Sequence, residues 1–151
     1  MKGKSDSFLG RGWAFPPAFN FDRGTTELVE DEKDIHESIR IIIETIPGER
    51  MMFPAFGCGI RKFVFESNDP TQISMLKDAI YDALLYYEPR IKIEKIEIID
   101  YTQGYKENKP ISGYETAVSG LIHIHLTYTV IITNTRSNMV FPFYLKEGTN
   151  L

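Results

Sequence analysis

The feature that most constrains the fold is a segment of twelve residues, Leu121–Ile132, in which apolar and polar side chains alternate. Successive side chains of a β-strand point to opposite faces, so the alternation predicts a strand with one apolar and one polar face. The apolar face of such a strand has to be covered by other elements. The apolar positions are Ile122, Ile124, Leu126, Tyr128, Val130 and Ile132, and the polar positions are His123, His125, Thr127 and Thr129.

Two earlier segments can supply that cover, because their apolar side chains repeat with the 3.6-residue period of an amphipathic helix. The first helix is predicted to begin near Asp31 or Asp34 and to end before Pro47. The second is predicted to begin at Pro70 and to end at Glu88, because a residue that precedes proline is disfavoured in helical geometry. The apolar stripes are Ile35, Ile39, Ile42, Ile43 and Ile46 in the first helix, and Ile73, Leu76, Ile80, Leu84 and Tyr87 in the second.

Two further strands complete the predicted sheet. Ile91–Ile99 alternates with a change of parity near Glu94-Lys95, which predicts a β-bulge. Met139–Leu145 contains Pro142, whose missing N–H places this strand at a sheet edge or in a bulge. Helices followed by antiparallel strands predict an α+β fold, in which two amphipathic helices pack on one face of a small, mainly antiparallel sheet.

Two connecting segments have no clear period. Met51–Phe65 mixes aromatic residues with glycine and proline, which predicts a loop with a short extended piece. Tyr101–Gly120 is long for an uncovered loop, so we expect either an extended hairpin or a segment that a partner orders.

Residues 1–30 are predicted to form an extended N-terminal arm, and residues 31–151 a single α+β domain. Glycine and proline in the arm disfavour regular structure, yet its aromatic content is too high for a solvated tail. Trp13, Phe15 and Phe19 are therefore candidate partner-binding residues, because aromatic side chains concentrate binding energy at interfaces. The alternative is that the arm folds back over the chain's own helices.

Charge and composition exclude several classes of protein. The formal net charge of −4 removes the basic surface that a reader of duplex DNA needs. A single cysteine, Cys58, excludes an internal disulfide and a multi-cysteine zinc site. No apolar run is long enough to span a bilayer, and none follows the basic N-terminus. We therefore expect no signal peptide, synthesis in the cytoplasm and no membrane insertion.

Candidate catalytic and metal-binding residues are few. Glu66 and Glu88 follow apolar residues, but no spacing gives either one the second carboxylate that glycosidase chemistry requires. His123 and His125 share one strand face and either contribute to a metal site or face solvent. Cys58 lies between glycines, either as a reactive thiol or as a small buried side chain. We predict no catalytic residue, no cofactor and no metal.

The string Glu88-Pro89-Arg90 joins the second helix to the sheet. Because Pro89 holds the chain extended, Glu88 and Arg90 are predicted to be displayed side by side on a stiff corner. A planar guanidinium there suits a bidentate contact with a carboxylate on another chain. The alternative is an exposed ion pair, which contributes about 0–1 kcal/mol.

Four strings stand in a characteristic order along residues 8–100. They are Phe8-Leu9-Gly10-Arg11-Gly12-Trp13 with Phe15-Pro16-Pro17, Ile35-His36-Glu37-Ser38-Ile39, Pro47-Gly48-Glu49-Arg50-Met51-Met52 through Phe56-Gly57-Cys58-Gly59-Ile60, and Glu88-Pro89-Arg90-Ile91. Together they resemble the small baseplate wedge proteins of contractile phage tails, the "gene 25-like lysozyme" family. That family includes the type VI secretion baseplate subunit and the sheath initiators of phage-tail-like injection particles.

The resemblance implies a structural role in a baseplate and no enzymatic activity. In that family the Glu-Pro-Arg corner helps to hold the core helical bundle of the wedge, so Glu88, Pro89 and Arg90 would be the wedge contact by position. The sheet of its members resembles the assembly domain of the sheath protein and templates the first sheath ring. The implied partners are other wedge subunits and the sheath protein, with the central hub or inner tube as further candidates, and without nucleic acid.

Two alternatives come from other classes of protein. The first is a peptidoglycan hydrolase that acts as a tail lysozyme, with Glu66 or Glu88 as the residue to test. The second is a free-standing ligand-binding domain, which only the histidine pair favours. Within the baseplate interpretation, a phage tail, a type VI apparatus and an extracellular injection particle all remain open.

Overall fold

The computed structural model describes residues 8–63, 70–100 and 121–144. The predictions for Glu66, for Tyr101–Gly120 and for Leu145 lie outside these ranges. The elements are strands β1 (Arg11–Trp13), β2 (Phe19–Asn20), β3 (Thr25–Thr26) and β4 (Leu28–Glu30), helix α1 (Asp31–Glu44), a 3-10 helix (Gly59–Phe63), helix α2 (Pro70–Tyr87), and strands β5 (Ile91–Asp100), β6 (Leu121–Val130) and β7 (Thr135–Tyr144).

Strands β5, β6 and β7 form one antiparallel sheet with β6 in the centre. The register of β5 against β6 shifts between Ile93 and Lys95, so the predicted bulge is confirmed. Pro142 lies on β7, which is an edge strand, as its missing N–H requires.

The connection between β6 and β7 differs from the prediction. β6 ends at Val130 rather than at Ile132, because the chain turns at residues 131–134. β7 begins at Thr135 rather than at Met139. The polar residues 135–138 pair in register with β6, and this cross-strand pairing extends the strand where no apolar alternation marks it.

Both helices and the apolar face of β6 contribute to one hydrophobic core, which confirms the predicted α+β arrangement. The alternation of β6 is fully realised, since its even-numbered side chains are buried. In the described ranges, no helix has the length and apolar character needed to cross a membrane. The helical side chains at the centre of the core are Ile35, Ile39, Ile42, Ile43, Leu76, Ile80 and Leu84.

The segment Met51–Phe65 was predicted to contain an extended piece, but its described part up to residue 63 has none, because Gly59–Phe63 forms a 3-10 helix. The chain enters that helix past Gly57, which has φ +113°. A Cβ at Gly57 would lie 2.3 Å from the backbone oxygen of Thr45, so this position requires glycine. The same oxygen accepts the N–H of Cys58 at 3.0 Å, which ties the segment to the end of α1.

Residues 11–30 form a folded hairpin, which corrects the expectation of an extended arm. β1 pairs with β4, and β2 pairs with β3, both in antiparallel fashion. Between the two ladders the N–H of Ala14 donates to Glu27, and the N–H of Glu27 donates to Ala18. These long-range bonds satisfy the backbone without a regular sequence period. The division of the chain at residue 30 into arm and domain stays a prediction.

Candidate interaction site at the helix–strand corner

The turn that joins α2 to β5 is organised around the side chain of Arg90. Its Nε and Nη2 atoms donate to the two carboxylate oxygens of Glu88, each at 2.6 Å. Its Nη1 atom donates to Oδ2 of Asp34 at 2.6 Å and to the backbone oxygen of Leu9 at 3.0 Å. One guanidinium therefore joins the end of α2, the first turn of α1 and the chain that enters β1. We call this set, formed by Arg90, Glu88, Asp34 and the Leu9 carbonyl, the Arg90 clasp.

Burial distinguishes the clasp from an ordinary surface ion pair. Glu88 is only 2% exposed and is the one buried charged residue in the described part of the chain. Glu88 and Arg90 lie side by side as predicted, but Glu88 is buried and the guanidinium of Arg90 is turned toward Asp34. The alternative of an exposed ion pair is therefore wrong. Hydrogen bonding to Glu88 raises the pKa of Arg90 further above its ordinary value, against the opposing effect of burial. The guanidinium therefore keeps its charge at any physiological pH.

Two glycines allow the hairpin to pass over the clasp. A Cβ at Gly12 would lie 2.2 Å from Oδ1 of Asp34, and a Cβ at Gly10 would lie 2.9 Å from Nη1 of Arg90. Gly10 also has φ +115°, a conformation that residues with a Cβ rarely adopt. The Gly10-Arg11-Gly12 string is therefore explained by the close approach of this backbone to two charged side chains.

The three aromatic residues that were predicted to bind a partner occupy two different settings. Phe15 lies against α1, where its N–H donates to Oε2 of Glu37 at 2.8 Å and its ring centre is 5.6 Å from the guanidinium carbon of Arg40. Trp13 and Phe19 are 62% and 55% exposed and contact each other edge to face. Folding back over the chain's own helix thus describes Phe15, whereas partner binding by these residues stays a prediction.

The outer side of the corner can still donate one hydrogen bond. Pro89 is exposed, and the side chain of Arg90 is 27% exposed. A guanidinium carries five N–H donors, and four of them are used in the clasp. One Nη2 N–H is therefore left for an acceptor beyond the described residues, while the clasp holds the corner in shape.

The remaining candidate residues do not assemble into a reactive site. Cys58 is buried, its thiol donates to the backbone oxygen of Ala79 at 3.4 Å, and burial raises the pKa of Cys58 to about 11. The packing interpretation of Cys58 is therefore confirmed. The rings of His123 and His125 lie 6.5 Å apart. Across the described ranges, no group of three or more potential ligands is arranged to hold a metal ion.

A second feature lies along the edge of the sheet. A groove of about 830 Å³ runs between α1 and the edge strand β7. An edge strand beside a groove with apolar side chains in its lining has the geometry that strand addition uses. The apolar lining of the groove includes Ile43, Ile60, Ile124, Met139, Phe141 and Phe143, and charged side chains of α1 line it as well, among them Lys33, Glu37, Arg40 and Glu44.

Two members of the clasp were missed by the sequence analysis. Asp34 and Leu9 are 56 and 81 residues away from Arg90 in the chain, so no local spacing connects them. The only sequence signal for Asp34 is its place in the first turn of an amphipathic helix. Acidic residues are favoured there by the helix dipole, whether or not they bind another side chain.

Comparisons with known proteins agree with this architecture. A family profile described as baseplate wedge protein gp25 matches residues 29–135, which contain both helices and the corner. The sequence matches no curated protein. A solved structure of a candidate tail lysozyme from Geobacter sulfurreducens is 38% identical, with a TM-score of 0.66 over 82% of this chain and 99% of that chain.

Two baseplate structures determined by cryo-electron microscopy are more distant. A chain of the anti-feeding prophage baseplate is 22% identical, with a TM-score of 0.60 over 93% of this chain and 90% of that chain. A chain of the postcontracted pyocin R2 baseplate is 16% identical, with a TM-score of 0.48 over 87% of this chain and 99% of that chain. The first of these likenesses shows a shared fold.

The family profile covers well over half of the chain, so the class of protein is established. The chain belongs to the baseplate wedge protein gp25 family, and the resemblance drawn from its sequence strings is confirmed. It is a structural baseplate component.

Proposed function

We propose that this chain acts through the surfaces that it offers to neighbouring baseplate proteins, without bond-breaking chemistry. The observation that carries the proposal is the Arg90 clasp, which fixes the hairpin, α1 and α2 relative to one another. A surface whose shape is set before binding loses less conformational freedom when a partner docks.

Wedge subunits are the proposed partners of the corner and the hairpin. Pro89 and the exposed edge of Arg90 offer a stiff surface with one free N–H, which suits a carbonyl or carboxylate oxygen. Trp13 and Phe19 add exposed apolar area on the hairpin. Because Arg90 also holds the backbone that leads into the hairpin, corner and hairpin are expected to bind as one unit.

The sheath protein is the proposed partner of the β7 edge. A strand added beside β7 would form main-chain hydrogen bonds on one side and place alternate side chains in the groove against α1. Pro142 has no N–H to donate, so the added ladder is expected along residues 135–141. This edge would be the point at which the chain initiates the sheath.

The enzymatic alternative is disfavoured by the geometry of Glu88. A glycosidase needs a carboxylic acid that is free to donate its proton and a second carboxylate across the substrate. Both oxygens of Glu88 accept hydrogen bonds from Arg90, so neither is free for this task. The lysozyme description belongs to the Geobacter sulfurreducens protein and is not carried over here.

A double variant tests the corner without unfolding the chain. Arg90→Ala would leave Glu88 buried without a partner, so a loss of binding could reflect a loss of stability. Glu88→Leu with Arg90→Met replaces the buried ion pair by apolar side chains, which is often neutral or stabilising. Asp34 then loses its partner, but it is 15% exposed and lies in the first turn of α1, where negative charge is favoured. We expect a folded double variant that no longer co-purifies with co-expressed wedge subunits.

The matched control is the exposed pair Lys92 and Glu94, which has the same i, i+2 spacing on β5. Lys92→Met with Glu94→Leu should leave co-purification unchanged. Wild-type binding by the Glu88→Leu, Arg90→Met variant would overturn the role of the corner. Clearance of cell-wall sacculi by the wild-type protein, lost in Glu88→Gln, would overturn the non-enzymatic assignment.

A further inference from the structure

The outer face of α2 exposes several large apolar side chains, although nothing in the described part of the chain covers them. Met75, Tyr81, Leu85 and Tyr86 are between 44% and 75% exposed. The inner face of α2 is already occupied, because Leu76, Ile80 and Leu84 lie in the core. A helix that is apolar around most of its circumference is normally buried on more than one side.

The exposed positions on α2 have the spacing of a helix–helix contact. Met75, Asp78, Asp82 and Leu85 follow one another at steps of three, four and three residues, and all four are exposed. This is the spacing at which side chains along one helix meet a second, nearly parallel helix. The row, which we call the α2 seam, is about 15 Å long and is apolar at both ends and acidic in the centre.

The charges at the centre of the seam lack counterparts. Among the described residues, neither Asp78 nor Asp82 takes part in an ion pair. The two carboxylates lie one helical turn apart, so they repel each other in the isolated chain. A partner with positive charges at this point would remove the repulsion and fix the register of docking.

We propose that the α2 seam docks an α-helix of another baseplate subunit, and that this helix carries apolar residues at the ends of its contact row and lysine or arginine at the centre. A second copy of this chain does not fit, because two-fold pairing of the seams would bring Asp78 and Asp82 of both copies together. The seam is a third surface that is separate from the clasp and from the β7 edge, and it depends on neither of them.

The test is co-assembly of the full chain with the baseplate subunits encoded beside it, measured as the amount of partner that co-purifies. Asp78→Lys with Asp82→Lys is expected to reduce co-purified partner at least tenfold. The isosteric pair Asp78→Asn with Asp82→Asn is expected to cause a smaller loss. Glu94→Lys with Glu97→Lys makes the same change of charge at exposed positions on β5 and should bind as the wild type does.

Two further measurements make the outcome decisive. Melting temperatures of the isolated variants should match the wild type, since both aspartates are exposed and unpaired in the described chain. A photo-crosslinker at position 85 should capture a helical segment with basic residues, and exchanging those residues for glutamate should restore binding of the lysine variant. Undiminished binding by the lysine variant, a cross-link to a second copy of this chain, or a cross-link to a segment without basic residues would overturn the proposal.

Discussion

The two helices pack on one sheet, but their outer faces differ in chemical character. The outer face of α1 carries two ion pairs between residues one turn apart and exposes no large apolar side chain. The outer face of α2 exposes four large apolar side chains and two aspartates that form no ion pair with any other described residue. Both inner faces are buried in the same core, so folding alone does not explain the difference. The comparison indicates that charges on the outer face of α1, which also borders the groove beside β7, are paired within the chain. The outer face of α2 carries the surface that we propose for helix docking.

The largest effect is expected where the two helices are joined. Arg90→Ala breaks the link between Asp34 on α1 and Glu88 at the end of α2 and leaves a buried carboxylate unpaired. We expect the free energy of unfolding to fall by about 3–5 kcal/mol in denaturant titrations. Arg11→Ala is the matched control, because it breaks an exposed pair with Glu30 and should cost less than about 1 kcal/mol. Equal losses of unfolding free energy in the two variants would contradict the stabilising role of the Arg90 clasp.

The second prediction contrasts the two faces of α2. Ile80→Ala removes a fully buried side chain and should lower the free energy of unfolding by about 3 kcal/mol. Leu85→Ala, on the seam, should change it by less than about 0.5 kcal/mol, because Leu85 is exposed in the isolated chain. The measurement is urea denaturation of both variants. A large loss of stability in Leu85→Ala would show that the outer face of α2 already supports the fold.

The third prediction concerns the passage of the hairpin over the clasp. Gly12→Ala places a Cβ against Asp34 and should lower the free energy of unfolding by about 1–3 kcal/mol. Gly59→Ala is the control, since its Cβ would meet only the flexible side chain of Lys62 at 3.6 Å. Thermal unfolding of the two variants measures the contrast, and an unchanged melting temperature in Gly12→Ala would speak against the close approach.

The smallest effect is expected on the outer face of α1. Glu44→Ala removes one ion pair with Arg40 and should cost less than about 0.5 kcal/mol, because both side chains are about half exposed. High salt should abolish even this difference by screening the charges. A larger loss of stability that persists in high salt would mean that the outer face of α1 stabilises the fold more than an exposed ion pair can.

The helices and strands whose side chains follow a regular sequence period were predicted from that period. The stripes of α1 and α2, the alternation of β6 and the parity change at the bulge of β5 appear where expected, except that Ile46 lies beyond the end of α1 and Ile132 beyond the end of β6. The start of β7 was missed, because Thr135–Asn138 owes its extended form to pairing with β6 rather than to its own pattern. The hairpin was missed for the same reason, since its closure depends on backbone bonds between residues that share no period.

The candidate site was predicted in part. Glu88 and Arg90 lie next to each other as predicted. The chain between them is not extended, however, because it turns at Pro89 and Arg90 and the N–H of Ile91 donates to the backbone oxygen of Glu88 at 3.4 Å. Their spacing does not show which way the pair faces, because that is decided by Asp34 and the Leu9 carbonyl, which are remote in sequence. The α2 seam was overlooked, since a search for one apolar stripe stops once the inner face of a helix has been found.

The most direct test of the account is hydroxyl-radical footprinting of the isolated chain and of a baseplate subassembly that contains no sheath protein. The account predicts that Met75, Tyr81 and Tyr86 on α2 become protected from oxidation in the subassembly, while His36 on the outer face of α1 reacts equally in both samples. Equal reactivity of the α2 side chains in both samples, or protection confined to α1, would contradict the claim that α2 carries the assembly surface.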